Sequence, residues 1–274
     1  MIPNRLTTLG HPQRLAVFRL LMRRYPDRVP ASELAQALGL KASTLSTYVS
    51  ALMQAGLISQ ARSGTSLRYT IDMAAARETI GFLVDDCCRG RPEICAPWTA
   101  ASACPGTANA HRKHRVLFIC TGNSARSVMA EAILRDLAPD RFETCSAGNR
   151  PKSAINPVAL DVLMQHGHDV SDLRANHISE FQGANAPELD FIFTVCDQAA
   201  NEECPAWQGQ NISTHWGLPD PVAATGSDAE KRLAFHQTYS ALRNRLTGFA
   251  ALPIGALDRL SLQTAVDELG QIKE

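Results

Sequence analysis

The stretch Val116-Leu117-Phe118-Ile119-Cys120-Thr121-Gly122-Asn123-Ser124-Ala125-Arg126-Ser127 constrains this chain more than any other. Four apolar residues suited to a buried strand end in a cysteine, five residues follow, and an arginine opens a helical pattern over Arg126–Leu137. A buried strand passed directly to a helix begins a βα unit, and the rest of this half keeps the alternation. Strands are expected at Val116–Ile119, Glu143–Ser146, Phe191–Val195 and Ile212–Thr214. Further helices are expected at Pro157–His166, Ser227–Phe249 and Leu257–Leu269. The spacing predicts an α/β domain over residues 114–274, a parallel four-stranded sheet flanked by helices.

The Cys-x5-Arg spacing also carries chemistry. Backbone N–H groups of the loop Thr121, Gly122, Asn123, Ser124, Ala125 and Arg126 converge, with the helix N-terminus, on a tetrahedral oxyanion. Arg126 offers a guanidinium fork to its oxygens. The same field is expected to lower the Cys120 thiol and supply a thiolate nucleophile at neutral pH. Ser127 can donate to that thiolate, and Asn123 can lock the loop. A leaving group needs a proton donor, and Asp220, between Pro219 and Pro221 on the loop after the last strand, is the expected general acid.

The first half reads differently. Through residue 115 there are 15 lysines and arginines against 7 acids, and after it 12 against 20, so a formal net charge of zero conceals a basic half and an acidic half. A basic half suits a polyanion, and an acidic half suits an enzyme acting on something small. Leu6, Leu9, Leu15, Val17, Phe18, Leu20 and Leu21 give a helical apolar pattern. Ala31–Gly39 and Ala42–Ala55 form a helix pair across a tight turn, and Leu57–Ile71 reads as a β-hairpin wing. That order predicts a winged helix-turn-helix over residues 1–95, joined through a linker at 96–113. Lys41, Ser43, Thr44, Thr47 and Tyr48 are the expected base and phosphate contacts, with Arg62 at the wing tip. The bland alternative is a helical bundle with solvated polar faces.

This half resembles the ArsR family of winged-helix metalloregulators, through Leu9-Gly10-His11-Pro12-Gln13-Arg14-Leu15, Glu33–Leu40, Leu52-Met53-Gln54-Ala55-Gly56-Leu57-Ile58 and the wing. The resemblance implies a homodimer that binds a palindromic operator DNA and releases it when a metal or metalloid binds. Val29-Pro30-Ala31-Ser32 stands where many arsenic sensors of the family carry a cysteine pair. Cys87, Cys88 and Cys95 offer a replacement, similar to the C-terminal cysteine trio of some arsenite-sensing members. As(III), a soft trigonal centre, is the expected inducer. Zn(II) or Cd(II), or inert thiols, are the alternatives.

The second half resembles the low-molecular-weight protein tyrosine phosphatase superfamily over residues 115–250, a match that includes Ser146-Ala147-Gly148 after the second strand and Asn156-Pro157-Val158-Ala159-Leu160 opening the next helix. Thr194-Val195-Cys196-Asp197 to Cys204-Pro205, followed by His215-Trp216-Gly217, is similar to the arsenate reductase branch. Val222, where phosphatases typically place a tyrosine, points the same way. The resemblance implies a thioarsenate on Cys120, attack on it by Cys196, and a relay to Cys204. No tightly bound cofactor is expected. An external thiol reductant, thioredoxin or else glutathione/glutaredoxin or mycothiol, would close the cycle. Seven residues separate Cys196 from Cys204, one more than in thioredoxin-coupled members. Cys145 reads as a buried thiol, and Cys104 has no role. The combined expectation is an arsenite-responsive repressor fused to an arsenate reductase. The alternatives are a phosphatase fused to a DNA-binding domain, or a module that only binds an oxyanion. Eight cysteines, no apolar span and no signal-peptide pattern in Met1–Gly10 predict a cytoplasmic chain without membrane contact.

Overall fold

A computed structural model describes residues 2–89, 91, 112–183, 186–202, 207 and 211–272. The chain divides into two compact units, one mainly of residues 1–102 and one mainly of 103–274. The expected linker lies almost wholly outside the described residues.

The first unit runs α1 (Ile2–Leu9), α2 (Pro12–Arg23), β1 (Val29–Pro30), α3 (Ala31–Ala37), α4 (Ala42–Gln54), β2 (Ile58–Ser63), β3 (Ser66–Ile71) and α5 (Met73–Phe82). The helical apolar pattern from Leu6 to Leu21 forms two helices that divide at Gly10. There His11 caps α2 by accepting from the Gln13 N–H, and Pro12 takes the first helical position, where a missing N–H costs nothing. The α3–α4 turn closes on Gly39 at φ +61°, a conformation that suits a residue without Cβ. The wing is an antiparallel hairpin pairing Ile58 with Ile71 and Ser63 with Ser66. Val29–Pro30 adds a short third strand that the sequence did not signal. Val17, Leu20, Leu34, Leu45, Val49, Leu52 and Leu57 bury the core between these helices and the hairpin. The expected helix Met73–Asp86 holds α geometry only to Phe82 and then continues as a π turn over Leu83–Cys87.

The second unit contains β4 (His114–Cys120), α6 (Arg126–Leu137), β5 (Phe142–Gly148), α7 (Pro157–Gln165), β6 (Phe191–Thr194), α8 (Asp197–Asn201), β7 (Ile212–His215), α9 (Asp228–Ala251) and α10 (Arg259–Gly270). All four strands are parallel, in the order β5-β4-β6-β7. This is the expected sheet, and the helices match within a few residues; the short α8 and the 3-10 turns at Ile178–Phe181 and Pro221–Ala223 were not expected. Parallel strands covered by helices are near-continuously apolar, and β4 is buried from Val116 to Cys120. Phe118 and Phe193 stack at 5.4 Å, and Phe249 of α9 meets Phe142, Phe191 and Phe193 at 5.0–5.1 Å. Trp216 lies fully buried beside Phe193 at 4.3 Å. Among the described residues, no helix is long and apolar enough to cross a membrane.

Candidate active site

The central strand β4 has β5 on one side and β6 on the other, so the crossover from β4 to β5 and the one from β5 to β6 run in opposite directions. Ligands of open parallel sheets bind at the carboxyl ends of the strands at this reversal. Register brings the ends level: Cys120 opposes Gly148, and Ile119 opposes Thr194. The loop from Cys120 turns into α6, whose first N–H groups lack helical acceptors and carry the positive end of the helix dipole.

Asn123 shapes that loop. Its backbone is left-handed at φ +40°, a region asparagine enters more readily than most residues. Its N–H donates to Cys120 Sγ at 3.1 Å. Its side chain is fully buried, and the orientation of the amide follows from its partners. The Asn176 N–H donates to Oδ1 at 2.6 Å, so Nδ2 must be the end that donates to Ser127 Oγ (2.9 Å) and Ser146 Oγ (2.8 Å). Both serines therefore accept from Asn123 and keep their own protons to give. Ser146 donates to Glu131 Oε2 at 2.6 Å, and Ser127 sits 3.0 Å from Cys120 Sγ, ready to donate to a thiolate. Burial pushes Glu131 up to about 7 against the pull of Ser146, Arg135 and Arg174.

A Cβ on Gly148 would lie 2.7 Å from the Thr121 carbonyl oxygen and 2.9 Å from the Asn123 nitrogen, so only glycine lets β5 lie this close to the cradle. Beyond it, the N–H groups of Arg150, Lys152 and Asn156 donate to the carbonyls of Thr121, Gly122 and Ser124 at 2.8–2.9 Å. The cradle is thus fixed along its length. Arg126 donates to the Leu218 carbonyl at 2.9 Å and pairs with Asp220 at 3.1 Å. Asp220 also accepts from the Val222 N–H at 3.2 Å. The structure brings Cys120, Arg126 and Asp220 to one cavity of about 430 Å³, with Thr121, Gly122, Ser124 and Ala125 in its wall.

Cys196 is buried next to this cradle, its Sγ 3.4 Å from Thr121 Oγ1 and accepting from the Ala199 N–H at 3.4 Å. The residues around it are clipped by one imidazole: His215 bonds Thr194 Oγ1 at 2.8 Å and Asp197 Oδ1 at 3.1 Å. A Cβ on Gly217 would come within 2.6 Å of both Asp197 Oδ1 and His215 Nε2, which accounts for the glycine of His215-Trp216-Gly217. Cys204 lies outside the described residues. The expected depression of the Cys120 thiol is reversed. Burial and the nearby Cys196 push it up, and the Ser127 hydroxyl and Arg126 offset them only in part. The Cys-x5-Arg spacing reports the charges of the cradle but not the desolvation of a sulfur at a strand end. Cys145, bonded to the Val116 carbonyl at 3.4 Å, is pushed up to about 12 by burial and then by Glu131 and Glu143.

In the first unit Lys41, Ser43, Thr47 and Arg62 are exposed and Thr44 is half-buried. Thr47 Oγ1 donates to the Ser43 carbonyl at 3.2 Å. Tyr48 is half-buried, its ring packed against the core and against His11 at 5.1 Å. Cys87 is exposed and Cys88 half-buried, and Cys95 lies outside the described residues. Glu131 and Asn176 are site residues that the sequence motifs do not mark. Glu131 is four residues after Ser127 on one face of α6, a legible spacing, while Asn176 comes from a long loop with no periodic signal.

The family model for low molecular weight phosphotyrosine protein phosphatase matches residues 115–261, more than half of the chain. The chain belongs to this family. A helix-turn-helix domain model matches residues 9–61. An arsenate reductase of Shouchella clausii is 34% identical over 140 residues, half of this chain and 96% of that protein. One from Bacillus subtilis is 34% identical over 135 residues, 49% of this chain and 94% of the relative. A solved arsenate reductase from Archaeoglobus fulgidus is 23% identical with a TM-score of 0.40, covering half of this chain and 99% of that one. The protein is thus a helix-turn-helix domain fused to an arsenate reductase-like domain of the phosphatase family.

Proposed function

We propose that the second unit reduces arsenate to arsenite and that the first is an ArsR-type DNA-binding repressor which arsenite releases from its operator. The observation that carries the reductase reading is Cys196, a second thiol packed against the residue that follows Cys120. Hydrolysis of an ester needs one nucleophile, whereas reduction of As(V) to As(III) needs two electrons, one from each of two sulfurs. The 34% identity to arsenate reductases supports the same choice.

In this reading Cys120 attacks arsenic, and Asp220 protonates the oxygen that leaves as water. Arg126 and the loop N–H groups hold the remaining oxygens. The Cys196 thiolate then bonds to Cys120 Sγ. The S–As bond breaks with its electron pair left on arsenic, giving arsenite and a Cys120–Cys196 disulfide. Cys204 attacks Cys196, frees Cys120, and leaves a Cys196–Cys204 disulfide for an external thiol reductant of the thioredoxin type, or else glutathione/glutaredoxin or mycothiol. No resident cofactor is required. Among the described residues, none lining the cavity is aromatic, which disfavours the phosphotyrosine alternative, since an aryl group is held by ring faces.

Lys41, Ser43, Thr44 and Thr47 of the second helix would enter the major groove with Arg62 on the backbone, in a homodimer. Cys87, Cys88 and Cys95 would take arsenite. The discriminating experiment is Cys196→Ser. Arsenite formation should vanish while p-nitrophenyl phosphate hydrolysis through Cys120 survives, and Cys120→Ser should lose both. Arsenite production at parental rate by Cys196→Ser would overturn the relay.

A further inference from the structure

We propose that Arg150 and Lys152 form an outer anion subsite of the Cys120 cavity, one that selects a free inorganic oxyanion over its aryl or alkyl ester. The inference rests on the reading that this cavity accepts arsenate. It concerns the side of the ligand that the cradle does not touch.

A tetrahedral oxyanion seated on the loop turns some oxygens toward the backbone N–H groups and Arg126 and one toward the mouth. In arsenate that outward atom is an oxygen able to carry charge. In an ester it bears carbon. The mouth therefore decides between the two, by offering either cations or an apolar wall.

Here it offers cations. Arg150 and Lys152 line the same cavity as Cys120. They are not on an independent loop: the Arg150 N–H donates to the Thr121 carbonyl and the Lys152 N–H to the Gly122 carbonyl, each at 2.9 Å. The Lys152 stem lies over the cradle, its Cγ 3.5 Å from where a Cβ on Gly122 would be. An alkyl stem against the loop with the ammonium beyond it is the usual posture of a lysine at a cavity rim. Apart from Asp220, the rest of the described rim is Gln198 and the small apolar Val222 and Ala223, with no ring to hold an aryl substituent.

The test uses the full chain carrying Cys120→Ser, so that binding is read without turnover. Affinities for arsenate and for phenyl phosphate are measured by calorimetry, with and without Arg150→Met and Lys152→Met together. Both residues are exposed, and an unchanged circular dichroism spectrum and melting temperature check that the double variant folds as its parent does. Loss of two charge-assisted contacts should weaken arsenate about tenfold or more. Phenyl phosphate should change by less than about threefold, and the salt dependence of arsenate binding should flatten. Equal weakening of both ligands would mean general electrostatics and would overturn the subsite, as would unchanged arsenate affinity. Failure of the reductase reading looks different: the parent would bind arsenate with the expected selectivity yet release no arsenite.

Discussion

The two groups of cysteines in this protein sit in opposite physical settings. Cys120 is buried at a strand end, inside a loop whose carbonyls are taken up by the segment after Gly148 and whose shape is held by Asn123 through Ser127, Ser146 and Asn176. Cys87 and Cys88 close a π turn at the surface, where the backbone bonds Cys88 N–H to the Leu83 carbonyl at 2.9 Å and then turns through Arg89 at φ +52°. The first site is preorganised, as catalysis on an oxyanion requires. In the second, Cys87 is exposed and Cys88 half-buried, which suits the arsenite we propose for it, a ligand that assembles its own coordination. A site of the first kind breaks when its scaffold is altered, whereas one of the second kind breaks only when its ligands are.

The largest effect should follow loss of the scaffold. Asn123→Ala removes the amide that donates to two buried serine hydroxyls and leaves the Asn176 N–H without its acceptor, so turnover should fall by about 100-fold or more, with roughly 2–4 kcal/mol lost in urea unfolding. Unchanged turnover would mean that the loop holds its shape without that hub. Gly148→Ala comes next, since its Cβ would meet backbone at 2.7 Å. Displacing the cradle by a fraction of an ångström should lower turnover by about tenfold to 100-fold. By contrast, Cys87→Ser with Cys88→Ser should change stability by less than about 0.5 kcal/mol and leave arsenate turnover alone. The same pair should abolish arsenite release of operator DNA, as read by fluorescence anisotropy.

Titration sharpens the contrast further. With its thiol raised by burial, Cys120 should alkylate faster as pH climbs above the range of an ordinary cysteine, and Ser127→Ala should move that rise to still higher pH. Cys145, held near 12, should remain unreactive throughout. The smallest effect concerns Glu131. Its folded value near 7 exceeds the usual carboxylate value, so its contribution to stability is full below about pH 4.5 and is lost as pH rises through 7. Glu131→Gln should flatten the melting temperature across that window, and an unchanged slope would show that Glu131 titrates normally.

Much of this was legible in the sequence because it is local. Strand, Cys-x5-Arg and helix are contiguous, and their hydrophobic pattern alone placed β4 and α6. The sheet followed from the alternation of strand and helix. What was not legible came from tertiary packing. Asn176 reaches Asn123 from a distant loop, Val29–Pro30 pairs with Tyr69 and Arg68 only once the hairpin exists, and the half-buried Tyr48 ring packs against the core from its edge. The direction of the Cys120 shift was misread for the same reason, since spacing reports charges but not burial.

The most direct test of the central claim is a single turnover without any external reductant. Fully reduced protein is mixed with excess arsenate, arsenite is quantified, and disulfides are mapped by mass spectrometry. One arsenite per chain is expected, with a disulfide that joins Cys196 to Cys120 or, after relay, to Cys204. No arsenite and all thiols still reduced, from protein that hydrolyses p-nitrophenyl phosphate, would contradict the account and leave a phosphatase.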